Sequence, residues 1–175
     1  MRRCGMGDED TLISEGNLAA CYAFLKQKQK ARDLRRDIYF RSMRRLEADP
    51  CQALGAALNF AISLMAILEV ATARRILQKA GRDALRLLGT DHEVTLKVRA
   101  NYATAIQHDD ATTQEDLLEA MDMMMELRKT SRRLLGEDHP TTDLIRKNGI
   151  QLYLRCKAEF EGSGAEESKE VGETT

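Results

Sequence analysis

Small and apolar side chains recur along the chain with helical spacing, in four segments that each begin at an asparagine. The first segment places Leu18, Ala19, Tyr22 and Leu25 on one side of a helix. The asparagines follow one another at steps of 42, 42 and 47 residues: Asn17, Asn59, Asn101 and Asn148. Four matches in phase indicate a repeat array, and the longer third step predicts an insertion in a polar loop.

The pattern predicts three antiparallel helix pairs and a closing helix, with no strands. We expect helices at about 11–26, 29–47, 51–68, 70–88, 93–107, 114–135 and 140–160. Asp49 followed by Pro50 is typical of a helix start. Gly89 and Gly136 are well placed to end the helices that precede them.

The same boundaries divide the chain into a lead-in, an array and a tail. We expect a loose lead-in at 1–10, the array at 11–160 and a disordered acidic tail at 161–175. Within the array, the units cover about 11–48, 49–89 and 90–136, and the closing helix covers 140–160. Because one helix pair cannot bury its apolar face alone, stacking of neighbouring units is expected to create a continuous core.

The repeat resembles the tetratricopeptide repeat, in particular the long variant of kinesin light chains. There a Leu-Gly-Glu-Asp-His-Pro phrase precedes an Asn-Leu-Ala helix that has a later tyrosine. Residues 135–140 match the phrase fully, and residues 88–93 keep four of its six residues. The glycine usual between paired helices is replaced by Gln27 and Glu69 in the first two units. The resemblance implies an all-α, right-handed superhelical solenoid of antiparallel helix pairs, acting as a protein-binding scaffold.

Composition favours a reduced, intracellular protein. The 175 residues are 43% apolar and 31% charged, and the net charge of -1 provides no field that would attract nucleic acid or membranes. The four cysteines form no C-x-x-C pair, which argues against a disulfide framework or a zinc site. No apolar stretch follows Arg2 and Arg3, so we expect no secretory signal and a cytoplasmic location. The uncharged stretch 50–68 contains several polar residues and predicts a buried helix rather than a membrane span.

The asparagines and the residues in phase with them predict a peptide-binding groove. In tetratricopeptide arrays this face lines the concave surface, so the resemblance implies the following site: Asn17, Phe24, Asn59, Ile62, Met65, Lys97, Asn101, Thr104, His108, Lys147, Asn148, Gln151 and Arg155. A carboxamide donates and accepts hydrogen bonds, so it can hold the backbone of an extended peptide. Alternatively, each asparagine bonds to a neighbouring helix and fixes the stacking of repeats.

The charges on this face predict the kind of partner. Its early half is apolar apart from two asparagines, whereas its later half presents Lys97, Lys147 and Arg155 with no carboxylate in the same register. We therefore expect a protein or peptide with an apolar anchor and an acidic stretch. The alternative occupants are the chain's own acidic tail and a second copy of the molecule.

A basic segment provides the main alternative function. Nine Lys or Arg residues lie between positions 26 and 45, and this segment could bind nucleic acid or an acidic surface. The two aromatic residues of this segment, Tyr39 and Phe40, are adjacent and not interleaved with the cations as single-strand recognition requires, so we favour a solvated face in which Asp33 and Asp37 pair with Arg36 and Arg41.

No spacing in the chain indicates catalysis. The sequence contains no Gly-rich phosphate loop and no Ser/His/Asp or Cys/His constellation. Two adjacent aspartates, Asp109 and Asp110, follow His108 in the insertion and are expected to be solvated. We therefore expect a protein that is not an enzyme and binds no cofactor or metal.

Overall fold

A computed structural model describes the backbone of residues 6–170 and the side chains of residues 10–159. Over this part of the chain the structure is all-helical, with seven α-helices and no strands, which confirms the all-α prediction. The helices are α1 (Met6–Phe24), α2 (Lys28–Met43), α3 (Pro50–Met65), α4 (Val70–Leu88), α5 (Glu93–His108), α6 (Gln114–Leu135) and α7 (Pro140–Glu170).

The two terminal helices are longer than the sequence pattern predicts. Helix α1 begins at Met6, within the expected lead-in, and α7 continues to Glu170, within the expected tail. Residues 161–170 contain no proline, and four of the ten are glutamate, which is a good helix former, although the segment has no apolar period. The expectations for 1–5 and 171–175 lie outside the described residues.

The helices pack in chain order, and alternate helices also meet. Each helix packs against the next one, α3 packs against α5, and α5 packs against α7. Helices α3, α5 and α7 therefore lie side by side. The alanines that share one register in the sequence, Ala31, Ala73 and Ala120, are all buried between helices, where a small side chain allows close approach.

Among the side chains of residues 10–159, the buried core consists of two large clusters and one small one. The first joins α3, α4 and α5 around Leu54 and Leu77, and the second joins α5, α6 and α7 around Leu96 and Leu127. The small cluster contains Leu12, Ile38 and Ala56, and it connects the first three helices. The first unit is therefore held by much less buried apolar surface than the second and third.

The predicted packing face of the first helix is only partly buried. Ala19 is fully buried, but Leu18 is 47% exposed and Leu25 is 60% exposed. The physical reason is that the backbone of α1 closely approaches that of α2 alone among the described helices.

The helix ends confirm the predicted start and stop signals. The side chain of Asp49 accepts a hydrogen bond from the Gln52 N–H at 3.0 Å, and Pro50 occupies the first turn of α3. Gly89 and Gly136 follow α4 and α6 with φ angles of 80° and 90°, which an L side chain rarely adopts.

In the first two units, the turn between the paired helices contains a residue other than glycine whose backbone is in the left-handed conformation. Lys26 has φ 59° and Leu68 has φ 67°. Each lies one residue before Gln27 and Glu69, the positions at which the tetratricopeptide pattern leads us to expect a glycine. The backbone thus adopts the conformation that glycine favours, with another side chain in place.

Asp109 of the insertion loop is anchored, whereas Asp110 is exposed to solvent as expected. Asp109 is only 9% exposed, and its Oδ2 lies 3.2 Å from Arg74 Nη1. Arg74 Nη2 lies 2.7 Å from Asp116 Oδ1, so one guanidinium connects α4, the loop and α6. Burial opposes the charge of Arg74, but hydrogen bonding and the two carboxylates outweigh it and raise the Arg74 pKa. The expectation that this loop aspartate is solvated is wrong, because its partner lies 35 residues earlier in the chain.

Candidate functional site

An open groove of about 430 Å³ lies between α1 and α3, with α2 as its floor. We call it the α1–α3 groove. Its walls and floor are formed by residues of these three helices, including Ile13, Gly16, Asn17, Ile38, Gly55 and Asn59.

Small residues on both walls keep this groove open. Gly16 and Ala20 lie on the α1 wall, and Gly55 and Ala56 lie on the α3 wall. A Cβ atom added to Gly16 or Gly55 would meet no heavy atom within 4 Å. The space beside both glycines is thus free for a ligand.

The two asparagines of the first half lie on the walls of the α1–α3 groove. Asn17 of α1 and Asn59 of α3 are both exposed, so their amides are accessible to a bound chain. Further along the predicted face, Phe24 is 87% exposed and Ile62 is 37% exposed, whereas Met65 packs partly against the first core cluster. The early half of the face is accessible and apolar, as its sequence indicates.

The two asparagines of the later half form hydrogen bonds within the protein. Asn101 is buried, and its Nδ2 donates to the Lys97 carbonyl at 2.9 Å. Asn148 is half-buried, and its Nδ2 donates to Thr104 Oγ1 at 2.9 Å. The alternative interpretation, in which the amide fixes the stacking of helices, therefore describes Asn148. His108 and Gln151 are exposed in this half.

The cations of the later half each have a carboxylate partner. The ion pairs are Lys97–Glu93 at 2.8 Å, Lys147–Asp143 at 2.6 Å and Arg155–Glu159 at 3.7 Å. The expectation that no carboxylate accompanies these cations is therefore wrong. Each partner lies four residues away on the same helix, the separation at which side chains meet on one face.

Two of these pairs lower the pKa of the carboxyl group. Hydrogen bonds from Lys97 and then Thr141 lower the pKa of Glu93. Hydrogen bonds from Lys147 and Arg146 do the same to the pKa of Asp143. The cations are thus occupied and attract an external carboxylate less strongly than free cations would.

Carboxylates also neutralise part of the basic segment. Arg32 pairs with Asp33 at 3.3 Å, and Arg36 pairs with Asp37 at 3.5 Å. Arg41 pairs with a carboxylate of α1, at Glu15. Ion pairs within this segment do form, as predicted. The expected partners of Arg36 and Arg41 are wrong, because Asp37 next to Arg36 and Glu15 on the adjacent helix lie closer. The positive charge available to a phosphate backbone is reduced accordingly.

Two functional candidates on the groove floor were not predicted from the sequence. Arg35 and Ser42 of α2 both line the α1–α3 groove, on either side of Ile38. Arg35 occupies the apolar register of α2, in phase with buried Ala31 and Ile38. A cation at a position where an amphipathic helix normally has an apolar residue is the sequence feature by which Arg35 could have been identified.

Metal-binding clusters and membrane-spanning helices are absent from the described part of the chain. No set of three or more His, Cys, Asp or Glu side chains there could hold a metal ion. Among the described residues, no helix combines the length and the apolar content needed to cross a membrane. No family model matches the chain, and no curated protein is significantly similar to it.

Proposed function

We propose that this chain is a non-catalytic interaction module that binds an extended peptide segment of a partner protein in the α1–α3 groove. The helices are proposed to form a right-handed, tetratricopeptide-like array. The side-by-side packing of α3, α5 and α7 supports this arrangement. The observation that carries the proposal is the pair of exposed amides, Asn17 and Asn59, on the walls of an open groove.

The groove offers the contacts that an extended peptide needs. A peptide backbone has donors and acceptors that must be satisfied on binding, and a carboxamide can satisfy one of each. Leu12 and Ile38 contribute apolar surface to the groove, and Ile13 on the α1 wall is 56% exposed. An apolar side chain of the partner would cover this surface and remove it from water.

Selection from a displayed library of random peptides tests this function. The wild-type protein should enrich peptides with a large apolar residue. Replacing both Asn17 and Asn59 by alanine should weaken the binding of those peptides by roughly 5- to 150-fold, since two hydrogen bonds are lost and each contributes about 0.5–1.5 kcal/mol net. The matched control is Gln78→Ala, which removes an exposed amide of α4 outside the groove and should leave affinity unchanged.

Two results would contradict the proposal. One is equal affinity of the double variant and the wild type, with circular dichroism reporting the same helicity. The other is a preference for RNA or DNA that falls steeply as salt rises and depends on the basic segment at 26–45, which would favour the alternative function.

A further inference from the structure

Arg35 is a half-buried cation of the groove that has no carboxylate partner among the side chains of residues 10–159. Its neighbours Arg32 and Arg36 on the same helix both form ion pairs. Burial lowers the pKa of Arg35, but a guanidinium remains protonated at neutral pH. A charge that is partly removed from water and lacks an opposite charge is unfavourable, so binding of an anion beside it would be stabilising.

The hydrogen bonds of Arg35 hold its guanidinium against α3. Nη1 donates to Ser63 Oγ at 2.9 Å and lies 3.5 Å from the Asn59 carbonyl oxygen. Ser63 is itself fixed, because its hydroxyl donates to the same carbonyl at 3.1 Å. Both contacts use Nη1, which leaves Nε and Nη2 without a protein partner among the described residues. These two nitrogens form the edge that binds a carboxylate through two parallel hydrogen bonds.

Ser42 is a second and independent sign of a missing ligand. It is 1% exposed, and its hydroxyl oxygen is buried without any hydrogen-bond partner. A buried hydroxyl without a partner is unfavourable, and buried polar groups normally have one. Because Ser42 also lines the groove, a rotation of its side chain to another staggered rotamer would let a bound chain supply the missing hydrogen bond.

The spacing of these two groups defines the ligand. Arg35 and Ser42 are seven residues apart on α2, which corresponds to about 10 Å along the helix axis. An extended peptide covers that distance in about three residues. Between them, Ile38 and the open space beside Gly16 and Gly55 accommodate the intervening residues.

We propose that the α1–α3 groove binds an acidic peptide segment, with an Asp or Glu carboxylate on Arg35 and a hydrogen-bonding group about three residues away on Ser42. The inference rests on the proposed peptide-binding function and adds the chemistry that selects the peptide. It also moves the acid-binding position from the later half, where each cation is already paired, to the first unit.

Two displayed peptide libraries test the inference directly. They are identical except that the central position is fixed as Asp in one and as Asn in the other, so they differ in charge and hardly in shape. The wild-type protein should bind selected Asp peptides roughly 10- to 100-fold more tightly than their Asn counterparts, as expected for a hydrogen-bonded ion pair. In Arg35→Gln this preference should disappear, and Arg35→Glu should favour peptides with Lys at the same position.

The matched control is Arg36→Gln, on the same helix but paired with Asp37 and exposed. It removes the same charge and should keep the preference for Asp. Gly55→Ala is a second test, whose result cannot be attributed to a folding defect because alanine has a higher helix propensity than glycine. Its added methyl group occupies space in the groove. It should weaken all groove peptides without lowering the melting temperature.

The outcomes separate this inference from the proposed function. If the Asn17 and Asn59 variant loses affinity while Arg35→Gln keeps the full preference for Asp, the inference is wrong and the peptide-binding function stands. If no peptide responds to any groove substitution, the function itself is wrong. If deletion of residues 161–175 alone raises the affinity for Asp peptides, the acidic tail competes for Arg35, which supports the assignment of a carboxylate site.

Discussion

Replacing Leu68 by glycine should stabilise the protein, because the backbone at this position is already in a conformation that glycine prefers. Leu68 follows α3 with φ 67°. Its N–H bonds to the Met65 carbonyl at 3.1 Å, and the Glu69 N–H bonds to the Leu64 carbonyl at 2.9 Å. These are the two hydrogen bonds of the Schellman motif, whose left-handed residue is usually glycine.

The magnitude follows from three contributions. A left-handed backbone costs a residue with a Cβ atom roughly 1–2 kcal/mol. Glycine loses more conformational freedom on folding, which offsets roughly 0.5–1 kcal/mol of that gain. The leucine side chain is 87% exposed, so its removal sacrifices little buried surface. We expect a net increase of about 0.5–1 kcal/mol in the free energy of unfolding, or about 1–4 °C in Tm.

Urea denaturation followed by circular dichroism measures this change. The matched control is Leu68→Ala, which removes the same exposed side chain but keeps the Cβ atom, and it should remain within about 0.5 kcal/mol of the wild type. Lys26→Gly repeats the test in the turn between α1 and α2, where φ is 59°. Equal stability of the glycine and alanine variants at position 68 would refute the reasoning.

The reverse substitution provides a second check of the same physics. Gly89 has φ 80° and ψ 176°, a combination that is essentially restricted to glycine. An added Cβ would meet no atom within 4 Å, so any loss of stability in Gly89→Ala is due to the backbone alone. We expect a loss of roughly 1–3 kcal/mol.

Three further substitutions test the packing and the ion pairs by urea denaturation. Arg74→Met should lower the free energy of unfolding by about 1–3 kcal/mol because it leaves two carboxylates without their partner, whereas exposed Arg75→Met should change it by less than about 0.5 kcal/mol. Leu127→Ala should cost about 2–5 kcal/mol, since Leu127 is fully buried, and half-exposed Leu118→Ala should cost far less. Glu93 has a lowered pKa in the folded state, so its stabilising contribution is present above about pH 4 and is lost as the pH falls through the folded value; in Glu93→Gln this part of the acid dependence should be absent.

Much of the fold could be predicted because it depends on local and periodic features. The buried alanines recur in one register, and Gly89 and Gly136 end their helices at the same point of the phrase. Such features require information from only one turn or one unit of the chain. The limits of α1 and α7 could not be predicted in this way, because the sequence at both ends has no apolar period.

Prediction of the site was less complete because it depends on contacts between distant residues. The partner of Lys97 could have been found, since Glu93 lies four residues earlier on the same helix. In contrast, Arg74 meets Asp109 across 35 residues, and Arg35 meets Ser63 across 28. Those pairings follow from how the helices pack, and no local spacing predicts them.

The four asparagines illustrate how packing divides one repeated position into two roles. From α3 onward, alternate helices lie side by side, and the amide of Asn148 reaches Thr104 on the neighbouring α5. Between α1 and α3 the groove intervenes, so Asn17 and Asn59 remain exposed on its walls. The same residue type therefore forms a hydrogen bond between helices where they meet and stays exposed where they separate. The proposed binding position is therefore the place where alternate helices separate, and Arg35, which has no carboxylate partner among the described side chains, lines the same groove as the two exposed amides.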